Sequence, residues 1–303
     1  MTRVIACGGL TIDWLQTANG RVGPSLGGNA AYAAAGAWLA GADAEIVAVI
    51  GDDYPADLLE QLSRVGIGIS GVRTSPGPSF RVLMDESGPR RTISYLPESG
   101  HNDRLDPLPS QLPELRAADG VHICAIPTSS QRAMLEAAAD LVDVVTLDSV
   151  VIPDEIEPST AELLDLARRA SVFMPSRDEV EHHWSDDVEE ALWRLRDIGC
   201  DRVVIKLGSD GSIGRDGTET IRVPAAEASA IDPTGAGDAF CGAACARLAM
   251  GDPLRTAMTW GAAAASVIIQ GHGAAAALTS AGQASAADRA DRLTSVTARG
   301  SVA

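Results

Sequence analysis

Gly27-Gly28-Asn29-Ala30-Ala31-Tyr32-Ala33-Ala34 opens a run of small residues that continues through Gly36 and Gly41 into Ala44–Ile50 and Gly51-Asp52-Asp53. Asn29–Leu39 reads as a tightly packed helix, and the short apolar run Ala44–Ile50 reads as a buried strand. Outward from this pair the same rhythm repeats. Val4–Cys7 precedes it as a strand and Ala56–Val65 follows as a helix; then come Val121–Ile126, Arg132–Leu141 and Val142–Leu147. The pattern resumes with Ser171–Met174, a helical stretch to about Ile198, and Arg202–Lys206. Strands alternating with helices predict βαβ units, hence an α/β fold whose mostly parallel sheet is flanked by helices on both faces.

Two segments interrupt the rhythm. Phe80–Asp85 and Arg90–Tyr95 are strand-like arms around Glu86-Ser87-Gly88-Pro89, flanked by Pro76, Pro78 and Pro97. Turn residues between two such arms predict a projecting hairpin, and the irregular Leu10–Val22 segment is positioned to pair with it. Beyond Gly282 the chain becomes Ala/Ser/Asp/Arg-rich, which predicts a frayed tail over 283–303 behind one domain spanning 1–282.

Hydrophobic residues form 46% of the 303-residue chain and aromatics only 4%, so its core must be built from Ala, Val, Leu and Ile. A net charge of −17 repels phosphate backbones and anionic lipid, which disfavours nucleic acid and membrane partners. Cys7, Cys124, Cys200, Cys241 and Cys245 lack disulfide or zinc-ribbon spacing and fit a reducing cytoplasm. Cys241 and Cys245 stand one helical turn apart and are expected to pack as buried small side chains. The N-terminus shows no signal peptide, and the apolar run Ala257–Ile269 is too short for a span. Gly66–Gly71 satisfies G-x-G-x-x-G but follows a helix, the reverse of a dinucleotide fingerprint. His182 and His183 sit among acidic residues on a helical stretch, where a solvated face is expected rather than a metal site.

Chemistry concentrates in Asp232-Pro233-Thr234-Gly235-Ala236-Gly237-Asp238-Ala239-Phe240, ahead of the small-residue helix Cys241–Met250. Gly235 and Gly237 let successive N–H groups turn into one concavity at a helix N-terminus, a setting for a phosphate. Asp238 then stands where a carboxylate can reach an attacking hydroxyl as a base, although a Gly-rich turn before a helix and an Asp in its first turn also occur for structural reasons alone. Upstream, the Gly27-Gly28 pair permits close ligand approach, and Asn29 can donate and accept hydrogen bonds. Asp13, after Gly8-Gly9, is a carboxylate suited to gripping two hydroxyls, although turn and N-cap roles account for the same residues.

Together, Gly8–Asp13, Gly27–Gly51 and Asp232–Asp238 resemble the ribokinase-like (PfkB) carbohydrate kinase family, in the same order and over nearly the whole chain. The resemblance implies a ribokinase-like α/β body with a small β lid, drawn from about 10–22 and 78–97, closing over a sugar. It implies a kinase that moves the γ-phosphoryl group of ATP to a hydroxyl of a sugar or sugar derivative. A nucleoside kinase of the same fold and a non-catalytic nucleotide- or sugar-binding homologue are the alternatives. Asp238 corresponds to the family's base and the Gly235, Ala236 and Gly237 amides to its anion hole. Asp13, Gly28 and Asn29 fall where the family binds substrate hydroxyls. Val203–Gly211 looks like the strand and turn beside ATP, placing Lys206, the only lysine, with Gly208 and Gly211 at the nucleotide. Glu179 fits an Asn-x-x-Glu element linked to Mg2+, with Ser176 at the Asn position. Asp232 and Thr234 match a monovalent cation site of some members, which implies K+ as a further ion. The lids of this family often pair, which implies a homodimer. Where many relatives carry a second Asn, this chain has Tyr32, expected to narrow the substrate pocket.

Overall fold

A computed structural model describes residues 1–87, 92–112, 118–149 and 159–300. Strand β1 (Arg3–Cys7) leads into β2 (Thr11–Thr17) and β3 (Gly20–Gly27), then helix α1 (Asn29–Leu39), β4 (Asp43–Gly51), α2 (Ala56–Arg64) and β5 (Gly68–Ser75). The chain next forms β6 (Phe80–Asp85), β7 (Thr92–Tyr95), a short α3 (Asn102–Leu105), β8 (Gly120–Ile123), α4 (Thr128–Ala139) and β9 (Val144–Leu147). Then follow α5 (Thr160–Ala167), β10 (Val172–Phe173), α6 (Arg177–His183), α7 (Val188–Asp197), β11 (Arg202–Lys206), β12 (Ser212–Asp216) and β13 (Glu219–Val223). Three helices close the fold: α8 (Ala236–Ala249), α9 (Leu254–Ile268) and α10 (Ser280–Gly300).

Among the described residues, nine strands form the body sheet in the order β13-β12-β11-β10-β9-β8-β1-β4-β5. From β11 to β5 every pairing is parallel, while β12 and β13 add an antiparallel edge. Alternation along β1 shows how the sheet is covered: Val4 and Ala6 enter one core with α1, α8 and α9. Ile5 and Cys7 enter the other with α4, α5, α6 and α7. Because side chains point to opposite faces with period two, a strand buried on both sides reads as a continuous apolar run.

The second sheet, β3-β2-β6-β7, is the expected lid. Its β2 pairs in parallel with β6 and antiparallel with β3, while β6 and β7 make the hairpin. Gly88–Arg91, the tip of that hairpin, lies outside the described residues. At the lid's root, Asp53 accepts from the Ser79 N–H and hydroxyl at 2.8 Å each and pairs with Arg81 at 2.5 Å.

The frayed tail expected beyond Gly282 is corrected: α10 runs to Gly300 and packs on α9. Ala286, Ala290 and Leu293 are buried at spacings of four and three. These small side chains form a helical face that little hydrophobicity announces. Likewise the helical stretch ending near Ile198 is two helices, broken where Asp187 caps α7 by accepting from the Glu189 and Glu190 N–H groups. Among the described residues, no helix is long and apolar enough to cross a membrane.

Candidate active site

The turn before α8 is built around Gly235, whose φ of 74° lies in the left-handed region. A side chain there would overlap the ring of Tyr32, itself only 2% exposed. Tyr32 therefore lies beneath the turn rather than in the pocket wall, which corrects its expected place. Thr234 donates its N–H to Asp232 at 2.9 Å, and the N–H groups of Ile231 and Asp232 donate to the Ile269 carbonyl at 2.7 and 3.1 Å. The loop is thus pinned to the end of α9, and α8 starts with the positive dipole end that favours an anion, the Ala236 N–H donating to the Pro233 carbonyl at 3.3 Å. Asp238 stands in its first turn. Burial pushes its carboxyl up, Lys206 and its own N–H pull it down, and Glu179 pushes it up again, with a net rise.

Lys206 ends β11 and reaches this point from the sheet. Its Nζ donates to both Asp148 carboxylate oxygens, at 2.6 and 2.7 Å, and approaches Cys241 Sγ at 3.4 Å. It lies beside the start of α8: a Cβ at Gly237 would sit 3.6 Å from Nζ, in ordinary van der Waals contact. Burial opposes charge on Lys206, but the Asp148 carboxylate beside it prevails and holds the ammonium well above its ordinary range. Burial also pushes Asp148 up to about 7 despite Lys206, with Glu179 and Asp238 adding repulsion. The contact at two oxygens supports an ion pair that weakens as Asp148 takes up a proton. Asp148 was not singled out in the sequence, although it follows a parallel strand directly, where such sheets carry their ligands. His122, Asp148 and Cys241 gather closely enough to suggest a metal cluster, but the Lys206 ammonium already supplies the cation there.

Glu179 accepts from the Ser149 hydroxyl at 2.5 Å and the Ser176 N–H at 2.6 Å. Ser176 caps α6 in a capping box with Glu179, so serine keeps the local geometry at the expected Asn position.

On the acceptor side, Gly28 has φ 96°, and any side chain there would collide with the Gly9 carbonyl and Leu10. This close approach carries β2 over the start of α1. Asp13 is 3% exposed, receives the Thr11 hydroxyl, and fits only because Gly27 beside it lacks a side chain. Asn29 accepts from the Gly9 N–H at 2.8 Å and donates to the Ala125 carbonyl at 2.6 Å. Its amide ties the loops after β1 and β8 together while remaining partly exposed.

A cavity of about 530 Å³ adjoins Lys206, Ala236 and Gly237 and extends past Gly208 and Gly211 to a wall including Ala228 and Ile269. Gly208 and Gly211 have φ 61° and 90°, and at Gly211 a side chain would overlap the Val223 carbonyl. Its size, apolar wall and cationic end fit ATP. The oxygen donors Asp148, Glu179 and Asp238 near that end fit a hard cation such as Mg2+. At the Asp232 and Thr234 pair expected for a monovalent cation, Thr234 donates both N–H and hydroxyl to Asp232 Oδ1, and His272 Nδ1 faces Oδ2 at 3.6 Å.

Residues 1–281 match the profile described as pfkB family carbohydrate kinase. The chain belongs to that family. As a pfkB-family member it is a phosphotransferase with an alcohol acceptor, within the group of sugar and nucleoside kinases. It is 31% identical over 268 residues to a cytidine kinase of Thermococcus kodakarensis, covering 86% of this chain and 94% of that one. It is 25% identical to a ribokinase of Schizosaccharomyces pombe, covering 92% and 90%. An E. coli ribokinase II solved with ATP and Mg2+ superposes with a TM-score of 0.76 at 17% identity, covering 96% and 100%. That superposition shows a shared fold.

Proposed function

We propose that this pfkB kinase transfers the γ-phosphoryl group of ATP to a hydroxyl of a sugar or a ribosyl group, with Asp238 as general base. The observation that carries the reading is the juxtaposition of a raised-pKa carboxyl with the N-terminus of α8 and the Lys206 ammonium. ATP lies in the cavity with its phosphates toward Gly235, Ala236 and Gly237, while Asp13 and the edge of Gly28 and Asn29 hold the acceptor. The acceptor oxygen bonds to the γ-phosphorus as the bond to the bridging oxygen breaks, ADP leaves, and the hydroxyl proton passes to Asp238. Lys206 and the helix N-terminus stabilise the negative charge on the transferring group. Glu179 is the residue that would help hold Mg2+ at the phosphates, where the ion would supply further charge neutralisation. The names of the relatives, cytidine kinase and ribokinase, support both a nucleoside and a free sugar as acceptor.

The test is Asp238→Asn, assayed by ADP release and product formation over a panel of sugars and nucleosides. It should retain ATP binding and lose about a hundredfold or more in kcat, since general-base assistance contributes roughly 10²–10⁴. Retention of most of the turnover would remove Asp238 from the role.

A further inference from the structure

Asp13, Val82 and Tyr95 share one rung of the lid: Asp13 pairs with Val82 across β2 and β6, and Val82 with Tyr95 across β6 and β7. Paired residues in neighbouring strands point to the same face. That face is turned onto the body, because Met84, one rung along, touches Thr234 Oγ1 with its Sδ at 2.9 Å. Phe80 on the same face packs against Val49 and Leu105, at the end of β4. Tyr95 leans on Phe80 with ring centroids 5.9 Å apart and planes at 32°, yet stays 52% exposed. Its neighbour Ile93, paired with Met84, is 65% exposed. The aromatic surface therefore overhangs the acceptor side of the crevice.

Two strand spacings, about 10 Å, separate Tyr95 from Asp13. A single sugar ring gripped by Asp13 falls short of that wall. Whatever meets Tyr95 is a second moiety attached to the sugar. Among the described residues of this face on β2, β6 and β7, the exposed surface is supplied by Tyr95 and Ile93. Arg81, at the alternate position on β6, is turned to Asp53.

We infer that Tyr95 is a specificity-determining residue that stacks on a planar heterocycle, so that the preferred acceptor is a nucleoside or another N-ribosyl heterocycle. The inference rests on the acceptor site proposed above and adds its outer half. An aromatic ring held by Phe80 at a fixed tilt offers a flat apolar face at little conformational cost, and base–aromatic stacking tolerates different bases. Asp13 then recognises the ribosyl hydroxyls while Tyr95 recognises that a base is present.

The test compares kcat and KM for ribose, cytidine, uridine and adenosine in the wild type, Tyr95→Ala and Tyr95→Phe, with Asp238→Asn as control. The wild type should prefer at least one nucleoside to ribose. Tyr95→Ala should raise the KM for that nucleoside about tenfold or more with kcat nearly unchanged, leave ribose kinetics unaltered, and be rescued by Tyr95→Phe. Equal losses for ribose and nucleoside, or no loss for either, would overturn the inference. Transfer to free sugars alone, abolished by Asp238→Asn, would overturn it while leaving the base assignment intact. No transfer to any acceptor would overturn both.

Discussion

The ring of Tyr32 fills the space that a side chain at Gly235 would need, so the two residues hold the anion-binding turn as one unit. A buried aromatic of this size contributes through burial and packing, and its truncation leaves a cavity. Tyr32→Ala should cost about 3–5 kcal/mol in a urea titration. Its kcat should fall by the same factor for every acceptor, because the turn under the transferring phosphate loosens while the acceptor side is untouched. A changed preference between acceptors, with stability intact, would return Tyr32 to the pocket wall. Asn29, one turn earlier, has a similar supporting function: its amide donates to the Ala125 carbonyl, 96 positions along the chain from it.

Helices α1 and α8 approach so closely that the missing side chains of Gly36 and Gly242 are part of the interface. A Cβ at Gly36 would overlap the Ala239 carbonyl, and one at Gly242 the Ala33 carbonyl. Since α1 follows the acceptor-side glycines and α8 begins at the anion hole, this contact fixes the distance between the two halves of the site. Gly242→Ala should gain roughly 1 kcal/mol in helix propensity. The overlap is with backbone, which cannot rotate away, so overpacking of about 1–3 kcal/mol or more should win. The expected outcome is a lower unfolding midpoint together with a lower kcat. A stabilised variant with full activity would show that the helices can separate without moving the site.

At the scale of the molecule, pH acts through His122, which is fully buried in β8 with Nδ1 2.9 Å from the Thr146 hydroxyl. Burial, reinforced by the Lys206 charge, lowers its pKa from 6.5 to about 3. Between these values the unfolded chain binds the extra proton, so this contribution to stability is complete above about 6.5 and is lost as pH falls towards 3. The slope is about 1.4 kcal/mol per pH unit at most. His122→Gln removes it. Asp148, raised to about 7, acts in the opposite direction, favouring the fold as pH falls, but does so in both proteins. The stability gap between wild type and variant should therefore narrow by about 2–3 kcal/mol between pH 7.5 and 4.5 in denaturant titrations. A constant gap would mean that His122 is protonated in the native state.

Alternating apolar runs and helical patterns suffice to determine the parallel α/β body, because a strand buried on both faces and a small-residue helix are local signatures. The glycine-rich turn before Asp238 and the Gly27-Gly28 pair are legible for the same reason: their backbone conformations and close approaches exclude other residues. The short α10 face of Ala286, Ala290 and Leu293 and the antiparallel edge β12–β13 carry no such signal, since weakly apolar positions acquire meaning only from the surface they meet. The pairing of Lys206 with Asp148, 58 residues apart, was decided by strand order, which brings the ends of β9 and β11 to either side of β10. Which side of α1 Tyr32 takes, and which lid residues share a rung with Asp13, were likewise decided by tertiary structure. Helical phase and strand register fix a side chain's direction only once the neighbouring element is in place.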